Sequence, residues 1–339
     1  MNAELRLRNE PTIEVGDYVS TLRWSHGGDH LAIGSLDGTV TIIDDDGDVQ
    51  HPPVHPFGVT AVAWSPTADL LATGGQDGTA RLWSVNDAAV VGEVSARGWC
   101  GALAWRPDGV EVAAAVGSEV IRMAPDGSEV VRHGNHPSTV ACLGYTPDGR
   151  HLGVGMYGGI WWYQGDTRPT KRFDWKGSLL TLAIAPNGKW ACSGNQDASV
   201  HCWRLWTGDE LTMNGYPAKV EHLAWDGRSR LLAVGNLGEV TVWDFAGKGP
   251  RGSRPRQLDG HARRVVDVAF QPLTTLLASA GADGRLCLWD PSAARRHLLS
   301  SVQFDEEIAC IAWSPAGDEI AVGMADGRVT LVEVDDGRR

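Results

Sequence analysis

The sequence has no run of 18 apolar residues, so nothing in it reads as a membrane-spanning helix. It has few cysteines, six in 339 residues, and none in a C-x-x-C pair. That is too sparse for a disulfide scaffold. The expectation is six reduced, buried thiols, which implies a cytoplasmic protein. Long helical stretches of Ala, Glu, Lys and Leu are missing. The first residues, MNAELRLR, contain no apolar segment followed by a small-residue cleavage site, so no secretory leader is expected. Basic residues are outnumbered, 30 against 42 acidic, for a net charge of −12. That balance argues against nucleic acid and anionic membranes as partners.

What is abundant is glycine, at 42 residues, and tryptophan, at 15. Many turns and many short strands fit such a balance. The chain is also periodic. Apolar segments ending just before Ser-Pro or Pro-Asp-Gly turns finish at Trp24, Trp64, Trp105, Tyr145, Ile184, Trp225, Phe270 and Trp313. These eight anchors define repeats of about 41 residues. In the second repeat, Val59–Trp64 reads as a strand, 65–69 as a turn, 70–74 as a strand, 76–78 as a turn and 79–83 as a third strand. The seventh repeats the plan at 265–270, 276–280 and 285–289, and fourth, more variable strands are expected near 90–94 and 297–302.

The Gly260-His261 opening, the Asp283-Gly284 turn and the Trp289-Asp290 close resemble the signature of the WD-repeat (WD40) β-propeller family. The resemblance covers about residues 5–334. It implies an all-β fold, a closed propeller of four-stranded antiparallel blades forming one domain over residues 1–339, with repetition leaving only short protected edges. Eight repeats imply eight blades, with seven, the common number in the family, as the alternative. The last repeat lacks residues for its fourth strand, so a strand around Leu5–Arg8 is expected to complete that blade and close the ring.

His55, Thr73, Asp77 and Trp83 recur at the same offsets as His261, Ser279, Asp283 and Trp289. A Ser/Thr–His–Asp set invites a hydrolase reading. The family resemblance instead implies a buried hydrogen-bonded network within each blade, and a cluster that repeats is a poor candidate for a single active site. The set is complete in two repeats only. Nine residues before the anchors stand Val15, His55, Ala96, His136, Trp175, Tyr216, His261 and Phe304, and the third, fourth and sixth repeats lack the turn acid. In the fifth, Trp175 is expected to donate its indole N–H to Asp197 in place of an imidazole.

Other motif matches have plainer readings. Gly153-Val154-Gly155-Met156-Tyr157-Gly158 matches G-x-G-x-x-G, but it lies on a predicted strand and its turn rather than between a strand and a helix. His51 with His55, and His133 with His136, have ligand-like spacings without a helix to carry them. The segment 247–256 is a basic Gly/Pro-rich insertion, read as a solvated loop.

With the strands consumed by the disc, its loops and channel mouth are left for binding. Six residues before each anchor stand Tyr18, Gly58, Trp99, Thr139, Ser178, Lys219, Arg264 and Glu307, and beside the turn acids stand Gln76, Tyr157 and Gln196. Of these, Tyr18, Gln76, Trp99, Tyr157, Gln196, Lys219, Arg264 and Glu307 are the candidate partner-binding residues, because exposed aromatic and Arg side chains anchor interfaces. No catalytic residue, cofactor or metal is expected. The expected function is a non-catalytic scaffold or adaptor that presents a rigid surface to one or more proteins within a complex. The alternative is an accessory propeller binding a small molecule or metal through its central channel or His-containing loops.

Overall fold

The computed structural model describes residues 3–7, 12–134, 136–165, 168–247, 249–293 and 297–335. It is all β. The eight anchors each close a strand: Val19–Trp24, Val59–Trp64, Cys100–Trp105, Val140–Tyr145, Lys171–Ile184, His222–Trp225, Arg256–Phe270 and Ile308–Trp313. Each pairing runs antiparallel, as hairpins between Gly-bearing turns require. At the Asp-Gly turns this chemistry is direct. Gly78 and Gly284 have φ of 77° and 74°, the left-handed region in which only glycine is free of strain.

The chain folds as two compact units. In the Val15–Leu182 unit, the first three repeats are four-stranded sheets, for example Val59–Trp64, Leu70–Gly75, Thr79–Ser84 and Ala89–Ser95 in order. In the fourth repeat, the 12-residue strand Leu152–Tyr163 pairs with Val140–Tyr145 through residues 152–156 and with residues 171–174 through 159–162. Its two arms do the work of two strands, bent at Gly158 and Gly159.

The other unit comprises Met1–Glu14 and Ala183–Arg339. Here Arg256–Phe270 serves two repeats, pairing with Leu237–Asp244 through residues 256–264 and with Leu277–Gly281 through 265–270. The strand expected at Leu5–Arg8 is Glu4–Leu7, paired with Arg328–Asp335 in the register Leu5↔Val334 and Leu7↔Val332. Arg8 lies outside the described residues. This edge strand completes the last sheet from the far end of the chain.

Inner strands are small and wholly buried, such as VAAAV at Val112–Val116 and LASAG at Leu277–Gly281. Strands covered on both faces lose polar alternation. What covers them is the next sheet: Ala72, Leu82 and Val94 of the second repeat pack with Val112, Ala114 and Ile121 of the third. The anchors add a directional tie. The indole N–H of Trp64 donates to Arg23 O at 2.9 Å, that of Trp105 to Ala63 O at 2.9 Å and that of Trp313 to Ala269 O at 3.0 Å. In each case the acceptor is the residue before the preceding anchor. Tryptophan suits the position because it fills the wedge between sheets and still satisfies a buried carbonyl.

The cysteine expectation needs correction. Cys192 and Cys202 form a disulfide. They are directly opposed across Trp190–Asn195 and Val200–Arg204, with Cα atoms 4.1 Å apart. Only Cys100, Cys142, Cys287 and Cys310 are free, and all four are buried. A search for C-x-x-C misses such a pair, because strand register rather than sequence spacing brings the sulfurs together.

Candidate functional site

The residues that resemble a hydrolase triad do assemble, twice. In the seventh repeat His261 Nδ1 lies 3.3 Å from Asp283 Oδ1, its Nε2 lies 2.7 Å from Ser279 Oγ, and Trp289 Nε1 donates to that Oγ at 2.8 Å. A carboxylate can only accept, so the proton sits on Nδ1 and the bonds run one way, Trp289 to Ser279 to His261 to Asp283. In the second repeat His55 Nδ1 lies 3.1 Å from Asp77 Oδ1 and Nε2 lies 2.8 Å from Thr73 Oγ1. There the chain of bonds stops, because the buried Trp83 Nε1 has no hydrogen-bond partner among the described residues.

Both imidazoles are held below their ordinary pKa by burial, against the opposing pull of Asp77 or Asp283. Both carboxyls are lowered as well: burial raises them, but hydrogen bonds from Thr79 and His55, or from Ala262, Arg285 and His261, outweigh it. The arrangement is a neutral imidazole bridging a charged carboxylate to a hydroxyl. His55 and Ser279 are fully buried and Thr73 is 2% exposed. A nucleophile whose oxygen is sealed in the core, and in the seventh repeat already occupied by an indole N–H, has no room for a substrate.

Incomplete repeats satisfy the same position differently. His136 Nδ1 donates to Ser118 O at 2.9 Å and Nε2 accepts from Tyr163 OH at 2.8 Å, so it too is engaged internally. Tyr216 accepts the Trp243 indole N–H at 3.0 Å. The expected Trp175–Asp197 bond is not how Asp197 is satisfied: it accepts the Ser199 hydroxyl at 2.6 Å. The G-x-G-x-x-G match lies along Leu152–Tyr163, with no helix following among the described residues. In the basic segment, Arg251 donates to Glu210 O at 2.9 Å and Arg256 to Pro291 O, so these two side chains brace neighbouring loops; Lys248 lies outside the described residues.

Beneath the side chains runs a backbone stitch. The residue six before an anchor offers its carbonyl to a turn amide of its own repeat: Leu36 N to Tyr18 O (3.0 Å), Gln76 N to Gly58 O (2.9 Å), Gly117 N to Trp99 O (2.9 Å), Ala282 N to Arg264 O (2.9 Å) and Ala325 N to Glu307 O (2.9 Å). The residue nine before donates to the preceding turn: His55 N to Gly38 O (2.9 Å), Ala96 N to Gly78 O (3.1 Å), His136 N to Ser118 O (3.3 Å) and Phe304 N to Gly284 O (2.8 Å). Tyr18, Gln76, Trp99, Arg264 and Glu307 are therefore held by backbone bonds whatever side chain they carry.

In the Val15–Leu182 unit this rim is apolar and exposed. Trp99 is 61% and Tyr157 59% exposed, with Tyr18 and Gln76 half-buried beside them. Sequence reasoning missed three neighbours: Phe57, 76% exposed, Val54 and Leu36. Phe57 has φ of 89°, an outlier for a non-glycine residue. The signal available was a bulky residue inside a Pro-Phe-Gly loop. In the other unit the rim is charged and partly self-satisfied: Lys219 pairs with Glu221 at 2.9 Å, and Glu307 with Arg263 at 3.4 Å and Arg264 at 3.6 Å, while Gln196 is exposed. The first strands of the Val15–Leu182 unit also line a recess of about 590 Å³ bearing Thr21, Arg23, Thr60 and Leu180.

Comparison with known proteins agrees with this geometry. The family model described as WD domain, G-beta repeat matches residues 12–44, 49–84, 168–204 and 252–290. The model for the anaphase-promoting complex subunit 4 WD40 domain matches residues 297–339. Among curated relatives, THO complex subunit 3 of Arabidopsis thaliana is 27% identical over 35% of this chain and 38% of its own length. The WD repeat-containing protein slp1 of Schizosaccharomyces pombe is 22% identical over 80% of this chain and 49% of its own. Mouse Striatin-4 is 25% identical over 39% of this chain and 13% of its own. The chain thus spans half or less of the length of these relatives. The crystal structure of the C-terminal WD40 domain of Sif2 superposes with a TM-score of 0.77 at 18% identity, over 95% of this chain and 98% of that one.

Proposed function

The chain belongs to the WD40-repeat β-propeller family, and from that premise we propose that it is a non-catalytic scaffold, one propeller domain of eight blades closed by Glu4–Leu7, that presents its rim to partner proteins. The observation that carries this reading is the contrast between a sealed interior and an apolar, backbone-braced rim. Trp99, Tyr157 and Phe57 are large aromatic side chains left exposed in successive repeats, the residue type that anchors interfaces. Phe57 strengthens the case, since backbone strain outside glycine collects at functional positions. The names of similar proteins, among them a THO complex subunit, point to assembly within complexes. The four buried free thiols and the acidic balance support a cytoplasmic setting, whereas the Cys192–Cys202 disulfide does not.

The test is affinity capture with the wild type against a Trp99→Ala/Tyr157→Ala/Arg264→Ala variant, after circular dichroism has shown both folded. The reading expects partners bound by the wild type to be lost from the variant. Equal recovery of every partner would reject this rim as the binding surface. The 590 Å³ recess favours a second reading, a small ligand held by Arg23 and neighbouring polar groups, which would leave capture unchanged by the rim substitutions.

A further inference from the structure

At the opposite end of the strands from the rim, the third and fourth repeats enclose a cavity of about 250 Å³ lined by Arg106, Glu111, Arg122, Tyr145, Arg150 and Tyr163 among others. Its floor is a buried ionic cluster. Glu111 Oε1 accepts Arg122 Nη2 at 2.5 Å and Tyr145 OH at 3.0 Å. Arg122 also donates through Nη1 to Gly165 O at 3.2 Å, and its side chain is only 8% exposed. Burial works against the charge on Arg122, but the bond to Glu111 and the interactions with Tyr145 and the Glu111 charge together outweigh it and keep the guanidinium protonated.

Three guanidinium groups and one carboxylate line the cavity, and each guanidinium has a carboxylate beside it. Arg106 stands 3.8 Å from Glu111 Oε1, too far for a hydrogen bond, and instead meets the half-exposed Asp108 at 3.1 Å. Arg150 lies at the mouth, 74% exposed and 3.8 Å from Asp148. Among the described residues, Arg122 Nε and Arg106 Nε are buried N–H donors with no hydrogen-bond partner. Buried donors of this kind are rarely left unpaired in a native protein.

We propose that this cavity is a binding site for a small, multiply charged oxyanion, a phosphate group or a polycarboxylate, with Arg106 and Arg150 closing on it at the mouth and Arg122 offering its Nε–H from the floor. Guanidinium forks match the oxygen spacing of both ligand types. The cavity is smaller than a typical pocket for a drug-sized ligand, which selects a small anion over a whole nucleotide. The site is independent of the rim and can fail without it.

Titration calorimetry with pyrophosphate in one arm and citrate in the other tests the proposal. It expects saturable binding in at least one arm, the tighter one naming the source of the oxyanion. Removing both mouth charges with Arg106→Gln/Arg150→Gln should weaken binding about tenfold or more while leaving the anion-free melting temperature in place. Arg122→Gln would strand Glu111 and risk unfolding, so the mouth variant carries the test. Absence of saturable heat up to about 10 mM of either anion, or equal affinity in the mouth variant, would overturn it.

Discussion

The second and seventh repeats carry the same four residue types at the same offsets, yet they build different networks. In the seventh, donors and acceptors run in one direction from indole to carboxylate, and Arg285 stays clear by donating to Gly260 O at 2.8 Å. In the second, Arg81 Nη1 approaches His55 Nδ1 at 2.9 Å, while Asp77 approaches the same nitrogen at 3.1 Å. Arg can only donate and a carboxylate can only accept, so no single proton position serves both neighbours. Arg81 also binds Glu93 at 2.6 Å and Asp77 at 3.4 Å, drawing the local charge toward the surface. Residue identity places the set; the accounting of donors and acceptors decides whether it closes.

The sharpest way to break both networks at once is steric. Gly75 and Gly281 lie under the imidazoles, where a Cβ would overlap His55 or His261 and the adjoining aspartate. Gly281→Ala and Gly75→Ala should each cost about 3 kcal/mol, read as a lowered midpoint in urea unfolding. Next in size is the indole comparison. Trp289→Phe should cost about 1–2 kcal/mol more than Trp83→Phe, because the first strips a bond from buried Ser279 and the second removes a donor that has no partner.

Acid should weaken both repeats together. His55, His136, His151, His201, His222 and His261 are all lowered from 6.5, each chiefly by burial. The unfolded chain therefore takes up protons at higher pH than the folded one. Stability is full above the unfolded value and falls as pH drops below 6.5 toward the folded values. Denaturation midpoints that stay level from about pH 7 to pH 5 would contradict this. The smallest effect is on the rim: Phe57→Gly should leave stability within about 1 kcal/mol of wild type, on the stabilising side, since the φ strain it relieves offsets the entropy glycine adds.

Much of this was legible beforehand because it is periodic. Strand Thr79–Ser84 is legible at 79–83, and Leu298–Gln303 at 297–302, from short β-rich runs between turn residues. The pairing of Glu4–Leu7 with Arg328–Asp335 was legible as a deficit, a last repeat short of one strand. What periodicity hides is whatever depends on register or on individual donors. The Cys192–Cys202 pair, Asp197 turning to Ser199 and the unpaired Trp83 indole are of that kind. Phe57 escapes the count back from the anchors because its neighbour Gly58 holds the counted position. The repeats without histidine still assemble because the stitch is made by backbone, as Ala96 N to Gly78 O shows.

The central claim is that the repeated Ser/Thr–His–Asp–Trp set is architectural and that its completeness is set by bond direction. A double-mutant cycle on unfolding free energy, pairing Trp289→Phe with Ser279→Ala and, in parallel, Trp83→Phe with Thr73→Ala, measures this most directly. The account predicts a coupling of about 1 kcal/mol or more in the seventh repeat and one near zero in the second. Equal couplings in the two repeats, or none in the seventh, would contradict it.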